Sequence, residues 1–191
     1  MRAHQATLIL ASASPRRLAL LEQMGVAVSE VAPSDIDETP KAGELPRQLA
    51  LRLAEEKLAA CNASNAFVLA ADTVVAVGRR LLPKTECRKE AAACLDLLSG
   101  RAHRVYTAIS ARAPKGQAVS RLVTTRVQMK RLSDLEKMRY LDSEEWQGKA
   151  GGYGIQGSAA VFIRGINGSY SGVVGLPVHE TYQLLMGLGW N

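Results

Sequence analysis

The sequence predicts an α/β fold built as a single domain over residues 1–191. Three observations carry that expectation. Apolar runs of strand length alternate with segments of helical periodicity, and clusters of glycine, proline and serine separate them. With 47% hydrophobic residues, a chain of 191 can bury a full core, as one body or as two lobes around a cleft. There are no internal repeats, no low-complexity segment and no linker long enough to separate independent domains.

Leu8-Ile9-Leu10-Ala11 reads as a strand over 7–11. Ser14 as N-cap, Pro15 at the first helical position and Leu18, Leu21 and Met24 at helical spacing then predict a helix over 14–24. A strand near 27–32, a helix over 46–61 and a strand over 66–77 follow. After Gly78 a turn leads to Leu81-Leu82-Pro83-Lys84, and Ala91, Cys94, Leu95 and Leu98 mark a helix stopped by Ser99-Gly100. Segment 102–131 is rich in Val, Thr and Ile and turns at Pro114-Lys115-Gly116, which predicts a long two-stranded hairpin. A polar helix near 133–143, a glycine-rich loop, a strand near 158–166 and a last helix containing Tyr182, Leu184 and Leu185 complete the chain.

Composition narrows the function. The net charge of +6 favours an anionic partner, but the basic residues are spread over the chain rather than gathered into a tail or stripe, which suits a phosphorylated small molecule as well as it suits nucleic acid. Two phenylalanines and no aromatic cluster give no base-stacking surface, so no specific nucleic acid is expected. No apolar run approaches the roughly 18 residues of a membrane span, and the start lacks a signal-peptide pattern, so the expectation is a cytoplasmic protein with no membrane partner. Cys61, Cys87 and Cys94 form no CxxC pair, and His4, His103 and His179 show no local metal-binding spacing. Neither a P-loop nor a GxSxG elbow is present.

Three stretches carry chemistry. In Ser12-Ala13-Ser14-Pro15-Arg16-Arg17 a strand runs through a hydroxyl-bearing turn into a helix start, whose free NH groups and two guanidinium groups suit an anion. Asp72 follows the apolar run Phe67-Val68-Leu69-Ala70-Ala71; a carboxylate there needs structural pairing, a metal ion or a role in proton transfer. Glu38, Lys57 and Lys84 each read alone as solvated charges, yet gathered in one cleft with Asp72 and the arginines they would suit a magnesium-bound polyphosphate. The third stretch, Gly151-Gly152-Tyr153-Gly154-Ile155-Gln156-Gly157, contains a GxGxxG match but neither follows a buried strand nor opens a helix, which rejects a dinucleotide site. Its glycines let backbone approach a planar ligand, and the Gln156 amide matches the acceptor and donor edge of a pyrimidine imide.

These stretches, with Asp37-Glu38, Glu56-Lys57, Ala71-Asp72-Thr73, Leu98-Ser99-Gly100, Lys149-Ala150 and Gly168-Ser169-Tyr170-Ser171-Gly172-Val173-Val174-Gly175-Leu176-Pro177, resemble the blocks of the Maf family of nucleoside triphosphate pyrophosphatases, in family order over nearly the whole chain. Ile155-Gln156-Gly157 is similar to the subgroup acting on dTTP and UTP. The subgroup associated with 7-methylguanosine triphosphate tends to carry Ser-Glu-Gly there, and a carboxylate would repel an imide carbonyl.

The resemblance implies a fold like that of inosine triphosphatase, a long twisted mixed sheet with two lobes around a substrate cleft, and often a homodimer. It implies hydrolysis between the α and β phosphates with a divalent cation, Mg2+ or Mn2+. Asp72 would be proton acceptor or metal ligand, and Glu38 would help hold the metal. Ser12, Arg16, Arg17, Lys57, Thr73, Lys84 and Gln156 would bind substrate, with Arg16, Thr73 and Gln156 linked to its choice. The same resemblance leaves open a house-cleaning activity on modified pyrimidine nucleotides, or a binding role in septum formation. Two departures stand out: Pro83 precedes Lys84 and Thr85 follows it, where the family usually has proline after the lysine, and Leu58 stands where a small residue often follows the family lysine matched by Lys57.

Overall fold

A computed structural model describes residues 7–190, so His4 lies outside the described residues. Leu8–Leu10 form β1, Pro15–Gln23 form α1, Glu30–Val31 form β2 and Pro46–Ala60 form α2. Phe67–Val77 form β3, Arg80–Leu82 form β4 and Arg88–Leu98 form α3. The long hairpin is β5, Ala102–Arg112, and β6, Ala118–Met129. Asp134–Asp142 form α4, Ile163–Asn167 form β7, Tyr170–Val174 form α5 and Val178–Gly187 form α6. The sheet runs β2-β1-β3-β5-β6-β7, with β4 paired to β3. Pairing is parallel among β2, β1 and β3 and antiparallel elsewhere, giving the mixed sheet expected.

Side-chain alternation along the strands divides the core between the two faces. Leu8, Leu10, Leu69 and Ala71 pack with Leu20 and Leu21 of α1 and Leu184 and Leu185 of α6. Ile9, Ala11, Val68 and Ala70 pack instead with Leu58 of α2, and farther along Val74 and Ala108 meet Leu49, Ala50, Leu53 and Ala54 of the same helix. Beyond the mid-sheet, Val75 and Val127 join Leu95 and Leu98 of α3, Leu141 of α4 and Tyr153 in a third packed region. Helices α1, α2, α3 and α6 bury apolar residues at helical spacing against the sheet.

Two expected strands are corrected. Over 158–166 only Ile163–Asn167 is strand; Ser158–Phe162 is a 3-10 turn. Its buried residues Ala159 and Phe162 are three apart while Val161 is 74% exposed, a helical rather than an alternating pattern. The strand near 27–32 shrinks to Glu30–Val31, an exposed sheet edge shortened ahead of Pro33. The short helix α5 had no counterpart in the sequence reading. None of the described helices is long and apolar enough to cross a membrane.

Candidate active site

β5 covers one edge of β3 from Val68 to Ala76. The other edge is shared, with β1 on Phe67–Leu69 and β4 on Val75–Val77, so the stretch from Ala70 to Val74 has no strand partner there. A cleft of about 420 Å³ opens at this gap. Asp72 and Thr73 lie in the gap and point to opposite faces, yet both line the cleft. The turn after β1 brings Ser12, Arg16 and Arg17 to one side, and the segment after β4 brings Lys84 to the other. Glu38, Lys57 and Gln156 line the same space, so every residue singled out in the sequence meets here. The position, beyond the carboxyl end of parallel strand β1, is where open α/β sheets bind ligands.

Four charges form a chain across the floor. Lys57 Nζ lies 2.6 Å from Asp72 Oδ1 and 2.5 Å from Glu38 Oε1, and Lys84 Nζ lies 2.5 Å from Glu38 Oε2. Lys57 and Asp72 are buried, 7% and 3% exposed. Reading Lys57 as a solvated charge is therefore overturned: it falls on the apolar stripe of α2 with Leu49, Leu53 and Leu58, which aims its stem over the sheet toward Asp72. Lys84 does keep half of its side chain in solvent. Burial pushes the Glu38 carboxyl up, but the hydrogen bonds from Lys57 and Lys84 outweigh it and hold its pKa at about 2.

The N-terminal turn is built differently from its sequence reading. Ser14 is the N-cap of α1, but its side chain caps nothing. The Arg17 guanidinium is engaged by the chain itself: its Nε donates to the Gly175 carbonyl at 3.0 Å and its Nη1 to Ser12 Oγ at 2.8 Å. Burial lowers the Arg17 pKa, with Asp72 opposing that shift. Gly175 belongs to the segment after α5, which is itself anchored where Thr107 Oγ1 donates to the Gly172 carbonyl at 2.7 Å. Burial also lowers the pKa of Arg16.

The glycine-rich loop lies along the segment after β4. Lys84 and Ala150 form an isolated bridge, and the Gly151 NH donates to the Pro83 carbonyl at 2.9 Å. Gly151 has a φ of +74°, and a Cβ there would stand 3.0 Å from Val75 Cγ1, so this glycine serves packing against the protein's own core. The Thr85 departure has a structural use. Its NH donates to the Lys149 carbonyl at 3.2 Å and its hydroxyl to the Trp146 carbonyl at 2.7 Å; proline could make neither bond. These contacts fix the aim of Lys84. Gln156 stands exposed on the cleft side of the loop.

A family model described as Maf-like protein matches residues 7–188. The chain belongs to the Maf family. A curated dTTP/UTP pyrophosphatase of Hyphomonas neptunium is 61% identical over 186 residues, covering 97% of each chain. A protein of the same name from Caulobacter vibrioides is 58% identical over 186 residues, covering 96% of each. Among solved structures, a HAM1 protein from Coxiella burnetii shares the fold at a TM-score of 0.52 and 16% identity, covering 95% of this chain and 99% of that one.

Lys149 carries no expectation from the sequence beyond its place in the Maf-family block. It lines the cleft, donates from Nζ to the Glu145 carbonyl, and its Cε fills the space that a Cβ on Gly154 would need, at 2.7 Å. Burial, with Arg16 nearby, lowers its pKa. The available signal was its place at the head of the glycine-rich block.

Proposed function

We propose that this chain hydrolyses dTTP and UTP to the nucleoside monophosphate and pyrophosphate with Mg2+ or Mn2+. The observation that carries this reading is the convergence of Glu38 and Asp72 on one cation, the Lys57 ammonium, in the same cleft as the Ser12–Arg17 turn and Gln156. The names of the Hyphomonas and Caulobacter relatives support the substrate.

Two carboxylates gathered on one positive charge are a donor set that fits a hard divalent cation. Mg2+ commonly takes its remaining ligands from waters and substrate phosphates, so two protein carboxylates can hold it. Glu38 and Asp72 would hold it, and its chemistry would be to offset charge on the phosphoryl oxygens. Lys57 holds both carboxylates in place and, with Lys84, keeps Glu38 ionised. With Oδ1 held by Lys57, the other oxygen of Asp72 accepts the proton of the attacking water. The water oxygen bonds to the α phosphorus as the bond from that phosphorus to the bridging oxygen breaks, and pyrophosphate leaves. Arg16 and Lys84 meet the departing charge, and Arg17 holds Ser12 toward the phosphates. Gln156 accepts from the imide NH of uracil or thymine and donates to a carbonyl beside it, while Thr73 and Arg16 border the nucleotide. A homodimer is part of this reading and is checked by light scattering.

The test is pyrophosphate release from dTTP, UTP, CTP, ATP, GTP and 7-methyl-GTP with each metal, beside Asp72→Asn. Selective release from dTTP and UTP that needs the metal and falls by about a thousandfold in the variant is expected. Release from none of the six overturns the reading.

A further inference from the structure

Of the four members of the charge chain, Glu38 and Lys84 lie outside the helices and strands; Lys84 is bridged to Ala150, whereas Glu38 sits in an irregular segment spanning 32–45. We propose that Arg52, which does not line the cleft, is the positioning residue that delivers Glu38 to it. This rests on the assignment of Glu38 to the metal-holding pair above.

Arg52 lies on α2, and all three of its guanidinium nitrogens are committed. Nε donates to Glu44 Oε1 at 2.7 Å and Nη2 to Glu44 Oε2 at 2.9 Å, a forked pair; Nη2 also donates to the Thr39 carbonyl at 3.0 Å, and Nη1 to Glu56 Oε2 at 2.9 Å. The Thr39 carbonyl adjoins Glu38 in the chain. Glu44 passes the constraint on, because its Oε2 also accepts the Lys41 NH at 2.9 Å. Upstream, Asp37 Oδ1 accepts the Thr39 NH at 2.9 Å and closes the turn around Glu38. The side chains of Arg52 and Glu44 are only 15% and 9% exposed, so this pair is better shielded from solvent screening than an ordinary surface ion pair. The geometry is that of a clasp. One helix presents Lys57 on its apolar stripe and, five residues earlier, grips the loop whose carboxylate must reach Lys57. Lysine could not reproduce the fork or reach the Thr39 carbonyl at the same time.

The experiment compares the full chain with Arg52→Met, Arg52→Lys, Glu38→Gln and the double variant Arg52→Met/Glu38→Gln. Amide hydrogen exchange at Lys41 is expected to accelerate by about tenfold or more in Arg52→Met, with β3 unchanged. The Mg2+ concentration giving half-maximal pyrophosphate release from dTTP is expected to rise about tenfold in Arg52→Met and less in Arg52→Lys. In the Glu38→Gln background the same substitution should add nothing, since two residues acting through one carboxylate are not additive. Unchanged exchange at Lys41, or full additivity in the double variant, overturns the proposal. If Arg52→Met does not fold, Arg52→Lys carries both measurements. Should the unaltered chain release no pyrophosphate, the functional reading fails while exchange at Lys41 still decides the clasp.

Discussion

Lys57 Nζ sits 2.6 Å from Asp72 Oδ1 across the interface between α2 and β3, with neither side chain more than a tenth exposed. Removing one partner of a buried pair leaves an uncompensated charge, whereas removing both with apolar residues of similar volume is often neutral. Lys57→Met should therefore lower unfolding stability by about 3 kcal/mol in urea titration at neutral pH, and Lys57→Met/Asp72→Leu should recover most of that. Both variants should be inactive. Equal stability of Lys57→Met and the unaltered chain would remove the pair from the fold's support.

Gln156 is exposed, so Gln156→Glu should leave stability within about 0.5 kcal/mol. Its effect belongs to recognition. A carboxylate keeps an acceptor for the imide NH but loses the donor and repels the carbonyl, so kcat/KM for dTTP and UTP should fall by about a hundredfold. The fall for CTP, measured beside them, should be smaller. Parallel losses on all three nucleotides would move Gln156 off the base.

Arg17 ties two distant regions of the chain, the Ser12 turn and the Gly175 carbonyl. Arg17→Lys offers a single ammonium for two bonds, so stability should drop by about 2 kcal/mol and the KM for dTTP should rise. Thermal unfolding measures the first, and the dTTP dependence of pyrophosphate release the second. A variant that keeps stability and loses only affinity would make Arg17 a direct phosphate ligand rather than a brace.

His103 is buried, with its Nε2 2.7 Å from the Tyr153 hydroxyl, and burial lowers its pKa from 6.5 to about 4. Below pH 6.5 the unfolded chain binds a proton that the folded chain refuses. Stability should thus fall as pH drops from about 6.5 toward 4, by up to about 3 kcal/mol, and His103→Gln should flatten that slope. Glu38, held at about 2 against an ordinary 4.5, contributes stability above 4.5 that is lost only as pH falls through its folded value, so the window from 6.5 to 4.5 isolates the histidine. A flat profile over that window in the unaltered chain would mean that His103 takes up its proton without unfolding.

What could be read in the sequence was local. Ser14-Pro15 set the start of α1, and an aspartate inside an apolar run marked Asp72 for function. The long hairpin and the stop at Ser99-Gly100 were equally legible, because turn chemistry and strand propensity agree there. The partner of Asp72 was not, since periodicity places Lys57 on a stripe without saying what lies across from it. Nor was the missing pairing between Ala70 and Val74, which depends on where β1 and β4 end against β3, a long-range register. The segment Ser158–Phe162 misled for a simpler reason: a short run of alanine, valine and phenylalanine has no periodicity strong enough to tell a strand from a turn.

The unpaired stretch of β3 has a consequence for solubility. A bare strand edge invites another chain to add itself, and proteins usually defend such edges with charge or brevity. Here both defences coincide with the proposed site: the opening is capped at each end by β1 and β4, and Arg16, Arg17, Lys57 and Lys84 surround it. An incoming strand would have to bury its backbone against that cationic ring, while a polyanion is drawn to it. The residues proposed to admit the nucleotide would also shield this stretch of the sheet from an added strand.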